Sequence, residues 1–146
     1  MDPRDFNQVA IDLVVRRPST GPAAYRSAIS RAYYAALNVA TDVLTGIGHS
    51  PGRGDGPHKK VVIYLQQTGD GDLETAGTAI DRMRTMRNLA DYDMKNPDAE
   101  MISSARKMVE TAQQAIVLLD DFAADASRKK TAADAIARYK IKIHTE

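Results

Sequence analysis

The sequence predicts an all-α fold, an antiparallel up-and-down bundle of four to five helices with a short C-terminal extension. Two observations lead to this prediction. Apolar residues recur with the 3.6-residue period of a helix in several long segments, and stretches rich in glycine and proline separate those segments. The composition agrees, because alanine is abundant, only 5% of residues are aromatic and tryptophan is absent, which favours helices over sheets.

The first part of the chain contains two predicted helices. The first covers residues 3–17 and ends before Pro18, which cannot continue a helix. The second is long, running from Pro22 to about Thr45, and is closed by Gly46. Several alanines on its core face would let a neighbouring helix approach closely. This predicted core face comprises Ile29, Ala32, Tyr33, Ala36, Ala40, Val43 and Leu44.

A third, shorter helix is predicted between two breaks in the pattern. Residues 50–57 form a glycine-rich loop, and the helix then runs from about Pro57 to Gln67. A second glycine-containing break follows, in which Asp70 or Asp72 can cap the next helix.

The fourth helix is predicted to stop near Asn96. This residue would cap a fifth helix, with Pro97 in its first turn, and that helix would end near Ala126. The spacing of its apolar residues is typical of a long amphipathic helix. These residues are Ile102, Ala105, Val109, Ala112, Ile116 and Leu119.

The C-terminal segment, residues 128–146, is basic and lies outside the predicted bundle of residues 1–127. It carries six Lys/Arg against two Asp/Glu, so its net charge is +4 in a chain whose total is +1. We predict a short helix over residues 131–138 and a strand over residues 139–144, where apolar and basic residues alternate. A lone strand needs a partner edge. The segment therefore either docks on another protein or a second copy, or is a disordered, solvated tail. Its charge suits RNA or an acidic protein.

The residue types also exclude several classes of site. There is no cysteine, which excludes disulfides and cysteine-ligated zinc. The three histidines are His49, His58 and His144, and their spacing matches no metal motif, so we expect neither metal nor cofactor. No apolar run reaches the ~18 residues needed to span a membrane, and the first residues lack the pattern of a signal peptide. We therefore expect a cytoplasmic protein without a membrane partner.

Three charged residues lie on the apolar face of the fourth helix. Arg84, Arg87 and Asp91 follow at i, i+3 and i+7 among residues predicted to face the core. Two arginines and an aspartate on such a face are costly unless they pair or meet a partner. The cluster is therefore either a structural ion pair, in which Asp91 neutralises the arginines, or the wall of a functional site.

Two short motifs extend this cluster. The second helix carries S-x-x-S-R-A-Y-Y-A from Ser27 to Ala35, His58 opens the third helix, and the fourth helix carries R-x-x-A-D-Y from Arg87 to Tyr92. In this order and spacing, over roughly residues 5–125, the chain resembles the HEPN domain superfamily. The likeness is strongest to the small stand-alone prokaryotic members.

The resemblance implies a fold, an activity and partners. HEPN domains are helical bundles that usually form homodimers, and many are metal-independent ribonucleases in toxin–antitoxin or other defence systems. Small members are often encoded beside an antitoxin-type nucleotidyltransferase. The active family motif is an arginine, commonly followed by a polar residue, and then a histidine after four to six residues. Arg87 and Asn88 match the start of this motif, but Tyr92 or Asp93 stands where the histidine usually lies.

The candidate catalytic residues are Arg87, Tyr92 and Asn88. A guanidinium such as that of Arg87 binds a phosphate and stabilises the charge that develops in the transition state; alternatively Arg87 simply pairs with Asp91. A phenol, with an ordinary pKa of about 10, is a poor general base at neutral pH. Tyr92 can still donate a hydrogen bond to phosphate or stack on a base. His58 would supply an imidazole only if its loop folds back onto the site; otherwise it is a cap or surface residue.

Further candidates for contacting nucleic acid are Arg84, and Arg31 and Tyr34 on the second helix. Arg31, Tyr34 and Asn38 form a polar and aromatic row at i, i+3 and i+7, which either faces a dimer cleft or is a solvated face. Three functional interpretations remain. The first is a HEPN-family protein that binds RNA or a nucleotide, with metal-independent endoribonuclease activity from a degenerate motif. The second is a catalytically inactive dimeric interaction module, and the third is a helical scaffold with no nucleic-acid role.

Overall fold

The chain is a helical bundle. A computed structural model describes residues 1–16, 21–52 and 56–145. They form six α-helices: α1 (Asp5–Ile11), α2 (Pro22–Gly46), α3 (Pro57–Gln66), α4 (Gly71–Tyr92), α5 (Ile102–Ala123) and α6 (Ala126–Thr145). A π-helical segment (Asp12–Arg16) follows α1, and a 3-10 helix (Pro97–Glu100) precedes α5. No strand occurs in the described ranges, and none of the described helices is long and apolar enough to cross a membrane.

The bundle is built around α2, which packs against α1, α3, α4 and α5. Alanines on its core face are fully buried, as expected for closely packed helices. They are Ala28, Ala32, Ala35, Ala36 and Ala40. Larger buried side chains fill the space between the helices. These include Tyr33, Leu44, Leu65, Leu73, Ile80, Leu119 and Phe122.

The first helix changes from an α-helical to a π-helical hydrogen-bonding pattern after Ile11. Residues 3–17 were expected to form one α-helix, but the last part is the π-helical segment, in which Val14 is buried. Arg106 of α5 donates from Nε to the carbonyl oxygen of Val14 over 3.0 Å, so a side chain from another helix satisfies this backbone group. The predicted end of the first helix at Pro18 lies outside the described residues.

The connection between α4 and α5 differs from the prediction. Asn96 does act as a cap, since its Oδ1 accepts from the backbone N–H of Asp98 over 3.0 Å, but it caps the 3-10 helix and not α5. Helix α4 ends at Tyr92, where Asp93 leaves the helical conformation and accepts from the N–H of Lys95 over 3.2 Å. Such local hydrogen bonding by aspartate competes with the helix, which explains the earlier end.

The predicted strand at residues 139–144 is wrong, because these residues belong to the continuous helix α6. The alternation that suggested a strand coexists with a helical pattern in which Ile136, Tyr139 and Ile143 follow at i, i+3 and i+7. Ala132 and Ile136 of this helix are buried in the common core. Tertiary packing therefore selects the helical period, while Ile141 and Ile143 remain exposed near the end of the helix.

The middle of α6 is attached to the loop after α2 and to α3. His49 bonds through Nε2 to the carbonyl oxygen of Ala133 over 2.9 Å, and its Nδ1 lies 2.8 Å from Nζ of Lys140. The same ammonium lies 5.0 Å from the ring centroid of Tyr64 on α3, within the range of a cation–π contact.

The start of α6 is held to the start of α4 by ion pairs. Nε of Arg128 donates to Oδ2 of Asp70 over 2.8 Å, and its Nη2 donates to Asp72 over 2.9 Å. Asp70 is also the cap of α4, since its Oδ1 accepts from the N–H groups of Asp72 and Leu73, each over 3.1 Å, which confirms one of the two predicted caps.

The Arg128–Asp70 ion pair should make the free energy of unfolding depend on pH. The Arg128 guanidinium, helped by the backbone N–H groups of the cap, holds the pKa of Asp70 below its ordinary value. A carboxylate with a lowered folded-state pKa stabilises the fold at pH values above its unfolded pKa, and this contribution is lost as the pH falls through the folded-state pKa. We expect Asp70→Asn, which keeps a good capping residue, to lower the melting temperature by a few degrees at neutral pH.

The difference in melting temperature between Asp70→Asn and the parent should shrink as the pH falls below about 4. Calorimetry across this pH range measures it. Asp134→Asn is the matched control, because Asp134 pairs with Lys130 in an exposed i,i+4 pair, and such pairs contribute little. A constant difference at all pH values would contradict the assignment to this ion pair.

Candidate functional site

A row of polar side chains on α2 faces the last turns of α4. Arg26, Ser30 and Tyr33 follow at i, i+4 and i+7, which places them on one face of the helix. The hydroxyl of Ser30 donates to Oδ2 of Asp91 over 3.2 Å. Arg26 and Tyr33 contact the same part of α4, so one face of α2 positions the whole C-terminal end of that helix.

Arg26 binds the carbonyl groups at the end of α4. Only 8% of its surface is exposed. Its Nη1 donates to the carbonyl oxygens of Leu89 and Ala90, each over 3.0 Å, and its Nη2 donates to that of Asn96 over 3.2 Å. Nη2 also pairs with Glu100 over 3.0 Å. The last carbonyls of a helix have no partner within it, and Arg26 supplies one while joining α4 to the 3-10 helix.

Arg87 is enclosed by aromatic rings. It is only 6% exposed, and its guanidinium carbon lies 5.0, 5.5 and 5.7 Å from the ring centroids of Tyr33, Tyr34 and Tyr92. Each distance is within the range of a cation–π interaction, which strengthens when the cation is desolvated. Two rings come from α2 and one from the last residue of α4, so the packing of these helices forms the enclosure.

The charge of Arg87 is only partly compensated. Its Nη1 lies 3.8 Å from Oδ2 of Asp91, four residues on, and 3.4 Å from the hydroxyl of Tyr92. Both contacts are longer than the 2.7–2.9 Å typical of charge-assisted hydrogen bonds. Within the described parts of the chain, the buried Nε atoms of Arg87 and Arg84 have no hydrogen-bond partner. Asp91 is thus the one carboxylate that pairs with Arg87 among the described residues.

His58 lies beside the same tyrosines. Its Nδ1 is 3.1 Å from the hydroxyl of Tyr33, and its ring centroid lies 6.0 Å from that of Tyr33 and 6.1 Å from that of Tyr34. His58 is the second residue of α3, directly after Pro57. The start of α3 is therefore folded back onto α2, which was the condition for this imidazole to reach the cluster.

Burial of Tyr33 affects its ionisation. Desolvation raises the pKa of this phenol, although the charges of Arg87 and Arg84 act in the opposite direction. The raised folded-state pKa means that the neutral phenol stabilises the fold at pH values below its unfolded pKa, and that this contribution is lost as the pH rises through the folded-state pKa.

We expect Tyr33 to ionise at a higher pH than an ordinary tyrosine side chain. Following tyrosinate absorbance in an alkaline titration measures this, and Tyr33→Phe should remove the late component of the curve. Tyr139→Phe is the control and should leave that late component in place. A late component that survives in Tyr33→Phe would contradict the assignment.

The predicted site residues separate into two groups. Most of them lie in or beside one cluster, which we call the Arg87 cluster. It comprises Arg84, Arg87, Asp91 and Tyr92 of α4, Tyr33 and Tyr34 of α2, and His58 of α3. Arg31 lies elsewhere, with its guanidinium carbon 5.6 Å from the ring centroid of Phe6 on α1. Asn88 is exposed on the outer side of α4.

Sequence reasoning missed the role of Arg26, and it assigned Tyr33 to the core without a functional role. The signal that identifies both is the spacing of Arg26, Ser30 and Tyr33 at i, i+4 and i+7, which places polar groups on one face of α2. Among the residues that the structure describes, no group of three or more His, Asp or Glu side chains is arranged to hold a metal ion.

No family model, curated protein or solved structure matches this chain. The chemistry of the Arg87 cluster follows from its own geometry. That geometry combines a nearly buried cation, a second arginine, an imidazole and three phenol rings, which are groups suited to a phosphate and to a flat ring.

Proposed function

We propose that this chain is a HEPN-type protein of a toxin–antitoxin or defence-type system, and that its Arg87 cluster binds single-stranded RNA. The observation that carries the proposal is the loosely held guanidinium of Arg87, whose Nη1 lies 3.4 Å from the hydroxyl of Tyr92 and 3.8 Å from Oδ2 of Asp91. A phosphate oxygen at hydrogen-bonding distance would interact with this group more strongly than either partner does.

Access to Arg87 would be through Tyr92. This residue ends α4 and is 74% exposed, although its ring lies beside the buried guanidinium. A rotation of the Tyr92 side chain would open Nη1 to an incoming phosphate. The same ring would then offer a base a surface for stacking, which contributes about 1–3 kcal/mol per base in proteins that bind single strands.

The proposed reaction is cleavage of RNA without metal. The ribose 2′-oxygen attacks the adjacent phosphorus, the bond to the 5′-oxygen breaks, and the products are a cyclic phosphate and a 5′-hydroxyl. Arg87 would stabilise the negative charge that builds on the phosphoryl oxygens. His58 would supply the imidazole that the degenerate motif on α4 lacks, since imidazole is suited to proton transfer near neutral pH.

The alternative proposal is an inactive interaction module that works as a dimer. It is favoured by a different property of the same cluster. The rings around Arg87 belong to α2 and to the end of α4, and Asp91 is fixed by Ser30. In this proposal the enclosed arginine serves to join α2 to α4. The two proposals predict different effects on RNA binding for Arg87→Lys, which changes the shape of the cation but keeps its charge.

The test is binding and cleavage of a fluorescent single-stranded RNA in EDTA by the parent protein, Arg87→Lys and Tyr92→Ala. Lysine keeps the charge but loses the planar fork that matches phosphate. If the Arg87 cluster is the RNA site, Arg87→Lys should lower affinity by about tenfold, as expected for about 1.4 kcal/mol. Tyr92→Ala should weaken binding by a similar factor through lost stacking.

The control is Arg16→Ala, which removes a charge from an exposed i,i+4 pair with Asp12 at the other end of the chain. It should bind RNA like the parent. Melting curves must show that Arg87→Lys and Tyr92→Ala are folded. Unchanged RNA binding in both folded variants would reject the RNA site and favour the interaction module.

The dimer and the antitoxin-type nucleotidyltransferase partner are part of the same proposal. Sedimentation equilibrium of the purified protein tests whether it is a dimer. The homodimer predicts twice the chain mass of 15.9 kDa, and a monomer at all accessible concentrations would contradict it.

A further inference from the structure

A second binding region lies between α4 and α5. The two helices leave an open groove of about 1070 Å³ along their outer side. Arg82, on the α4 wall, is placed about 140° around the helix axis from Arg87, at ~100° per residue. The groove is therefore separate from the Arg87 cluster and does not depend on the function proposed for it.

The groove exists because its rims carry short side chains. Gly71, Thr75 and Thr78 form part of the rim on α4, and Ser103 and Ser104 form part of the rim on α5. Longer residues at these positions would fill the space between two neighbouring helices. The hydroxyl of Thr75 donates to the carbonyl oxygen of Gly71 over 2.9 Å.

Methionine side chains line the floor of the groove. Met83 and Met108 are buried there and Met86 is half-buried, so three of the six methionines of the chain line this one surface. Methionine is flexible and polarisable, it adapts to ligands of different shape, and its sulfur makes favourable contacts with aromatic rings. The floor is thus suited to a flat aromatic body.

The charged residues of the walls are mostly positive. Arg82 on α4 and Lys107 on α5 are the basic lining residues, and Glu74 is the one acidic lining residue. Neither cation takes part in an ion pair among the described residues. Two cations on opposite helices above an apolar floor would bind an anionic group while the rest of a ligand lies on the methionines.

From these observations we propose that the α4–α5 groove binds a small organic anion with an aromatic body. The anionic group pairs with Arg82 and Lys107, and the ring lies on Met83, Met86 and Met108. The volume is sufficient for a ligand of drug size. A nucleoside monophosphate and an aromatic carboxylate share this chemistry.

The test uses methionine methyl groups as reporters, because the chain provides its own control. The protein is labelled with ¹³C at the methionine methyls and titrated with AMP in one arm and with 1-naphthoate in the other. We expect the resonances of Met83, Met86 and Met108 to shift in at least one arm. Those of Met1, Met94 and Met101, which do not line the groove, should stay in place. A shift with AMP alone identifies a phosphate ligand, and a shift with naphthoate alone identifies a carboxylate.

Variants test the charge requirement. Arg82→Ala and Lys107→Ala should each weaken the titration by on the order of tenfold, which corresponds to about 1.4 kcal/mol. Lys95→Ala, which removes an exposed charge beyond the end of α4, should leave it unchanged. The proposal is overturned if no groove methyl responds to either probe, if all six methyls respond alike, or if the folded Lys107→Ala variant binds like the parent.

Discussion

Replacing Arg26 by methionine is expected to destabilise the protein by about 3 kcal/mol, near the lower end of the range seen when one partner of a buried ion pair is removed, because the side chain of Glu100 is 35% exposed. The carbonyl oxygens of Ala90 and Asn96 would lose the Arg26 donor, that of Leu89 would keep the backbone N–H of Asp93, and Glu100 would lose its cation. A buried acceptor without a partner keeps its full desolvation cost. Methionine restores most of the lost volume, so the loss would report the polar contacts and not a cavity.

Urea unfolding of Arg26→Met measures this change, and hydrogen exchange localises it. Exchange should accelerate in the last turns of α4 before it does so in α5. Arg31→Met, on the same helix, is the matched control. Arg31 is exposed and its guanidinium lies over the ring of Phe6, so its loss should cost no more than about 1 kcal/mol. Equal losses in the two variants would mean that Arg26 does not hold the end of α4.

Arg87→Ala is expected to cost about 3 kcal/mol. The change removes a nearly buried guanidinium from contact with three rings and leaves Asp91 without its cation. The loss should lie near the lower end of the range for broken buried pairs, because the side chain of Asp91 is 28% exposed and remains partly hydrated.

A double-mutant cycle of Arg87→Ala and Asp91→Asn separates the ion pair from the ring contacts. If the pair dominates, the double variant should be much closer in stability to either single variant than the sum of the two losses predicts. If the rings dominate, the losses should add. A loss below about 1 kcal/mol in Arg87→Ala would contradict the view that this residue joins α2 to α4, whatever its role in binding.

Helical periodicity was sufficient to predict most of the bundle. The apolar positions of α2 and α5 are spaced regularly enough that Ile29, Ala36, Ala112 and Leu119 were assigned to the core correctly. The wrong strand in the C-terminal segment has a tertiary origin. Tyr139 to His144 carry both a two-residue and a helical pattern, and the burial of Ala132 and Ile136 on the body of the protein decides between them. Such packing is a tertiary effect that local spacing does not contain.

The candidate site was predictable along α4 but not across helices. Arg84, Arg87 and Asp91 share a face by their spacing alone, and they do lie together. That His58 reaches Tyr33 depends on the path of the loop before α3, which spacing does not specify. Arg26 was missed because it binds backbone carbonyls. Every residue has a backbone carbonyl, so no residue type in the sequence indicates such a partner.

The contacts of His49 determine the tautomer of its imidazole ring. A carbonyl oxygen only accepts, so the bond to Ala133 places the proton of His49 on Nε2. Nδ1 must then offer its lone pair to the ammonium of Lys140. Free histidine in water exchanges between two tautomers, whereas attachment of α6 selects one of them. The ¹⁵N shifts of His49 would therefore report, in a single spectrum, whether the last helix is seated.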